Sequence, residues 1–275
     1  MRTLNSAIRL TFGFLWMAIA SSVFMVLATL LMPFRVTRVK LCNWYGHIAG
    51  RSITWFAGVT PRVKHHERLQ GSNPAIFVMN HTSTVDAFLG IWLCPIGACG
   101  VFKKEIVRVP FFGQLAWLSG HLLLDRFNRE KAVETLSDAA NFVKRNRLGI
   151  WIMPEGTRSK DGRLLPFKKG FVHLAIATGF PVVPVVIHGA HKNWVKGTFF
   201  SFTPMDLDIE ILEPIDTSTW REESASAHAD AVRAIFAARL PEDMQPAAVP
   251  GPPATPPPAA SIVVAHEPTP HAPGV

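Results

Sequence analysis

The sequence is short of cysteine, short of charge, and empty of any motif that would tie its basicity to nucleic acid. Three cysteines, Cys42, Cys94 and Cys99, stand among 275 residues. Three scattered thiols build no disulfide framework, and the single C-x4-C pair has no second pair with which to hold zinc, so reduced thiols in a reducing compartment are expected. Charged residues make up 17% of the chain, against roughly 25% in a typical soluble domain. The net charge is nevertheless +8 and the pI about 9.8. No zinc-finger spacing and no basic helix ahead of heptads accompanies that charge, so no nucleic-acid partner is expected. Anionic lipid or a phosphorylated substrate suits a basic chain that is 48% hydrophobic. No serine sits in a G-x-S-x-G context, which removes the usual nucleophile turn of a hydrolase. There is no internal repeat. His65 and His66 lack a third ligand, and no metal site is expected.

What is present divides the chain into three. Residues 11–34 contain no charge, and about 20 apolar residues cross a bilayer. Arg2 and Arg9 precede this run and Arg35, Arg38 and Lys40 follow it. It is too long and too basic at its far end for a signal peptide, so a retained membrane segment is expected. Residues 41–56 mix Trp44, Tyr45, Trp55 and Phe56 with His47 and Arg51, which fits either a helix at the membrane surface or the first helix of a globular domain. Residues 1–57 are therefore read as a membrane-anchoring helical region, and 58–240 as the main domain. Residues 241–275 hold eleven of the 22 prolines and no Lys or Arg; they read as a disordered tail.

Within 58–240, short apolar runs at 75–79, 98–102, 121–124, 150–153, 182–187 and 207–212 are strand candidates. Val133, Leu136, Ala140 and Val143 recur at helical spacing, and residues 170–178 read as a helix stopped by Gly179. Alternating strands and helices predict an α/β fold on a mostly parallel, mixed sheet flanked by helices. Ligands in such sheets bind beyond the carboxyl ends of the strands. There the sequence places Asn80-His81 with Asp86, then Lys104, Asp125-Arg126, Glu155 to Ser159, and His188. His81 can serve as a general base, and a carboxylate on its second ring nitrogen would fix the tautomer. On one helix, His81 and Asp86 would lie about 140° apart, at about 100° per residue. His81 therefore belongs in the strand-to-helix turn, with Asp86 reaching back from the helix. With no serine nucleophile, the attacking group would be a substrate hydroxyl. Arg158 suits a phosphate, with the amides around Gly156, Lys104 and Arg126 as further candidates. Glu155 would accept from a hydroxyl or brace Arg158.

N-H-x4-D at His81 and Asp86, "GHLLLDR", "MPEGTRS" and "VPVVIHG", in that order over 75–189, resemble the four motifs of the glycerolipid acyltransferase family. "KKEIVRVPFFG" and "PFKKG" match segments found between them. The resemblance implies His81 as base, Asp86 as its orienting carboxylate, and Glu155, Gly156, Thr157, Arg158 and Ser159, with Arg126 and Lys104, as acceptor-binding residues. It also implies transfer from an acyl thioester (acyl-CoA or acyl carrier protein) to lysophosphatidate at a membrane, no metal and no cofactor, and a domain facing the cytoplasm from the inner membrane. Met153, Leu123 and Leu124 depart from the residues more usual in these motifs. Other acceptors, such as a lyso-ornithine lipid or a lysophospholipid, remain open. So do a lipid hydrolase using Ser83 or Ser159, and a non-catalytic binder of anionic lipid.

Overall fold

A strand buried on both faces is apolar at every position, and the middle of this sheet is built that way. The computed structural model describes residues 2–125, 129–194 and 202–247. In chain order the elements are α1 (Arg2–Leu30), α2 (Arg35–Phe56), β1 (Val59–Lys64), α3 (Glu67–Gly71), β2 (Ile76–Met79) and α4 (Val85–Leu93). There follow β3 (Ala98–Lys103), α5 (Phe112–Leu118), β4 (Leu122–Leu124), α6 (Arg129–Asn146), β5 (Gly149–Ile152), α7 (Gly170–Thr178), β6 (Val182–Ile187), β7 (Met205–Ile211) and α8 (Ala225–Arg239). The strands form one sheet in the order β1-β7-β6-β2-β5-β3-β4. From β6 to β4 every pairing is parallel, and β7 runs antiparallel to β6. The expected mostly parallel, mixed α/β sheet is what the chain forms.

Alternation along β2 separates the two halves of the core. Phe77 and Met79 join the cluster that α1, α2, α4 and α5 cover. Ile76 and Val78 join the one covered by α6, α7 and α8. Because the central strands are parallel, the segments after β2, β3, β4, β5 and β6 all emerge at one edge of the sheet.

The N-terminal helices are docked on this domain. Gly46 and Gly50 of α2 face α4 so closely that an added Cβ would lie 2.4 Å from the Ile91 carbonyl oxygen and 2.5 Å from that of Phe88. Residues 41–56 therefore belong to a helix packed on the main domain. The opposite side of α2 exposes Trp44, Ile48 and Trp55. α1 buries Leu10, Met17, Ala20 and Ala28 along one stripe and exposes Leu4, Phe12, Leu15, Ile19, Val23 and Val26. Polar ties span its length: Arg9 donates to the Trp55 carbonyl (2.7 Å), and the Ser21 and Tyr45 hydroxyls bond at 2.8 Å. It is long and apolar enough to cross a membrane, and its open stripe points to membrane association.

Several elements escaped the sequence reading. β1 contains Pro61 and pairs only with β7, as suits proline at a sheet edge. α3, α5 and α8 were not expected. The packed chain also runs past the boundary placed at Leu240. Met244 is fully buried, its carbonyl accepts from the Leu164 amide at 2.9 Å, and the Gln245 side chain donates to the Leu240 carbonyl at 2.8 Å. Most of the proline-rich tail lies outside the described residues. All three cysteines are free and buried; burial pushes the thiols of Cys42 and Cys99 up to about 12, so they are inert rather than reactive.

Candidate active site

The turn after β2 is organised by one buried carboxylate. Asp86 sits in the first turn of α4, where the helix end favours negative charge. Its Oδ2 accepts from the backbone amides of Thr82 (2.6 Å) and Ser83 (2.7 Å) and lies 3.3 Å from His81 Nδ1. The offset argument therefore gives the right local geometry: His81 in the turn, Asp86 reaching back from the helix. A proton on Nδ1 shared with Asp86 leaves Nε2 unprotonated, the nitrogen able to take a proton. Asn80 anchors the turn from the other side. It is fully buried, its amide donates to the Ile187 carbonyl (3.0 Å), and its side-chain oxygen accepts from the Ile187 amide (2.8 Å).

The segment after β5 closes over the same turn. The Glu155 Oε1 accepts from the His81 amide at 2.9 Å, and the Ser159 amide donates to the His81 carbonyl at 3.3 Å. Arg158 donates to the Thr84 hydroxyl, one residue before α4. Gly156 holds φ at +69° and has Lys168 against it, so a Cβ there would be strained and would meet the lysine side chain at 3.0 Å. His81, Asp86, Glu155, Gly156, Arg158 and Ser159 are thus one cluster drawn from two strand ends.

Glu155 neither braces Arg158 nor sits at the surface. It is buried, and burial raises its carboxyl to about 8. Burial disfavours its charged form, so the protonated carboxyl is the form favoured beside an anion. Three buried atoms here, Thr82 Oγ1, Asp86 Oδ1 and Glu155 Oε2, have no protein hydrogen-bond partner among the described residues. They are hydrogen-bonding capacity that the described protein groups leave unused.

The remaining expected residues fall differently. Lys104 begins the short helix after β3 and pairs with Asp125 at 2.5 Å. Thr157 is exposed. Ser159 is buried and its hydroxyl donates to Asp161 (2.7 Å). Arg126 lies outside the described residues. Ser83 donates to the Trp194 carbonyl at 2.8 Å. Neither serine hydroxyl is therefore bonded to the His81 ring, as a hydrolase nucleophile would require. Among the described residues, no three His, Cys, Asp or Glu side chains gather to hold a metal ion. Sequence reasoning missed Thr84, Trp194 and Lys168. The first two act through one hydroxyl and one backbone carbonyl, which carry no pattern; "PFKKG" was noted, but nothing in it placed Lys168 beside Gly156.

A family model described as "Acyltransferase" matches residues 60–188. A protein named 1-acyl-sn-glycerol-3-phosphate acyltransferase from Limnanthes douglasii is 38% identical over 221 residues, 80% of this chain and 78% of that one. One of the same name from Escherichia coli (strain K12) is 34% identical over 198 residues, 72% of this chain and 79% of that one. Among solved structures, the 1-acyl-sn-glycerophosphate (LPA) acyltransferase PlsC from Thermotoga maritima superposes with a TM-score of 0.67 at 25% identity. That match covers 86% of this chain and 97% of that one.

Proposed function

The chain belongs to the acyltransferase family, and on that premise we propose that it moves a fatty acyl group from an acyl thioester to the free hydroxyl of lysophosphatidate, giving phosphatidate. The names of its relatives support the acceptor. The observation that carries the chemistry is the His81–Asp86 pair at a parallel strand end, with Arg158 joined to the same turn through Thr84.

In this reading His81 Nε2 takes the proton of the acceptor hydroxyl as its oxygen attacks the thioester carbonyl. Asp86 holds the ring and stabilises the imidazolium. The tetrahedral intermediate then breaks its C–S bond, and His81 returns the proton to the departing thiolate. The products are an ester and a free thiol, with no net proton gained or lost. Arg158 grips the acceptor phosphate, helped by the amide of Gly156; Ser159, Thr157, Lys104 and Arg126 complete its surroundings. Glu155, neutral at this pH, fixes the His81 backbone without opposing the phosphate. The donor is coenzyme A or acyl carrier protein, whose thioesters present the same carbonyl, and no metal or cofactor takes part. The exposed stripe of α1 lies in the inner membrane, with the domain on its cytoplasmic side; protease protection of the domain in right-side-out vesicles and digestion in inverted ones is the expected result.

The test is acyl transfer in mixed micelles, with labelled acyl-CoA or acyl carrier protein as donor. Lysophosphatidate, monoacylglycerol and lyso-ornithine lipid are offered to wild type and His81→Ala. Phosphatidate from wild type alone, with little product from the uncharged acceptor, supports the base and the phosphate grip together. Turnover that survives His81→Ala removes His81 as the base. A preference for lyso-ornithine lipid reassigns the acceptor within the same chemistry.

A further inference from the structure

One apolar concavity lies away from the strand ends. It is a groove of about 870 Å³ between α1 and α2, lined by Phe12, Trp16, Trp44, Ile48 and Trp55, with Arg51 and Ser52 on its edge. That volume falls within the roughly 300–1,000 Å³ of small-molecule sites. The groove is not the acceptor site seen from behind. Gly46 and Gly50 face α4, which carries Asp86, whereas Ile48 and Trp55 lie about half a turn round α2 from them, at about 100° per residue. It also lies outside residues 60–188, the segment the family model matches.

Charge narrows what can occupy it. Residues 1–66 contain eight Lys and Arg and no Asp or Glu. Several of these cations are engaged: Arg9 with the Trp55 carbonyl, Arg35 with that of Gly120, Arg38 with that of Leu118, Arg62 with Asp206. Arg51 has no carboxylate partner among the described residues. It is exposed, and its guanidinium lies 5.7 Å from the Trp92 ring centroid, within cation–π reach. A second copy of this chain docked through the same face would bring one acid-free surface against another. An open apolar channel continuous with the exposed stripe of α1, ending at one unneutralised arginine, has the two halves of a phospholipid's chemistry: a chain and a phosphate.

We propose that the α1–α2 groove retains one anionic glycerophospholipid, an acyl chain lying along Trp16, Trp44 and Ile48 and the headgroup phosphate paired with Arg51. Arginine grips phosphate oxygens in pairs, and aromatic side chains suit the level where chain meets headgroup. The site is separate from the acceptor site and stands whether or not the reading of His81 holds.

Native mass spectrometry of the full chain, released from mixed micelles holding equal amounts of dioleoylphosphatidylglycerol and dioleoylphosphatidylcholine, tests it. Wild type is expected to carry one phosphatidylglycerol, preferred about tenfold, the scale of one charge-assisted contact. Arg51→Gln should carry the two lipids about equally, with acyl transfer to lysophosphatidate in detergent unchanged. Ser52→Trp, which fills the groove, should carry neither. Should that variant misfold, brominated-chain lipids read the site in wild type: brominated phosphatidylglycerol should quench tryptophan fluorescence at a lower mole fraction than brominated phosphatidylcholine, and Arg51→Gln should abolish the difference. Equal retention of both lipids by wild type, equal quenching by both, or a lipid-free dimer overturns the proposal.

Discussion

The strand-end cluster and the α1–α2 groove treat polar groups in opposite ways. Around His81, buried side chains are held by backbone: Asp86 by two amides, Asn80 by both groups of Ile187, Glu155 by the amide of His81. Such groups are in place before any substrate arrives, the preorganisation that chemistry requires. In the groove the lining is apolar, and the single cation on its edge is held by no carboxylate. A site for chemistry is fixed from within, whereas a surface for lipid is left to be completed from outside. α2 joins the two, with α4 on its glycine side and the groove on the other.

The comparison breaks most sharply at His81. His81→Ala is expected to lower acyl transfer by about 10²–10⁴-fold, the usual reach of a positioned base, while circular dichroism and Tm stay close to wild type. Lipid retention in the groove should not change. A loss of both together would mean that the two regions are not separate. Arg158→Ala should come next. It removes a charge-assisted contact worth about 1.5–3 kcal/mol, so KM for lysophosphatidate should rise about 10- to 100-fold, and the preference over monoacylglycerol should shrink by the same factor.

The cluster was readable from sequence because its physics is local. Short apolar runs such as "AIFVM" fit strands buried on both faces, and the polar residues after parallel strands then share an edge. The five-residue offset placed Asp86 on a helix before α4 was seen. What could not be read arises from contacts without a pattern. β1 alternates cations with apolar residues around Pro61. Met244 enters the core from a stretch that reads as the start of a proline-rich tail. The groove was hidden for a different reason. The exposed and the α2-facing residues of α1 are both largely apolar, so the run 11–34 reads the same whether it stands alone in a bilayer or lies along a domain.

The joint between the regions gives the third effect. Gly50→Val drives a branched side chain into the Phe88 carbonyl. Overpacking of this kind costs about 1–3 kcal/mol, and Tm should fall by about 2–4 °C for each kcal/mol. Both transfer and lipid retention should weaken, since α2 serves both. A fourth effect depends on pH. The carboxyl of Glu155 is raised from 4.5 to about 8, so between those values the folded chain holds a proton that the unfolded chain has released. Stability from this group therefore falls as pH rises across that window and is level outside it. Glu155→Gln removes the term: in urea titrations its stability relative to wild type should grow from pH about 4.5 to about 8 and then stay constant.

The smallest effect on the fold is expected at Lys104, where the two ways of holding a polar group meet. Its ammonium is half exposed and already paired with Asp125, and pairs of this kind contribute about 0–1 kcal/mol. Lys104→Met should leave Tm within about 2 °C, on the scale of 2–4 °C per kcal/mol. Its kinetic effect decides its role. As a phosphate ligand, Lys104 must share its charge between Asp125 and the acceptor, so KM for lysophosphatidate should rise, but by less than in Arg158→Ala. Asp125→Asn supplies the complementary reading: freeing the ammonium should lower KM if Lys104 meets the phosphate. An unchanged KM in both variants would assign the pair to the surface alone, leaving Arg158 as the principal grip.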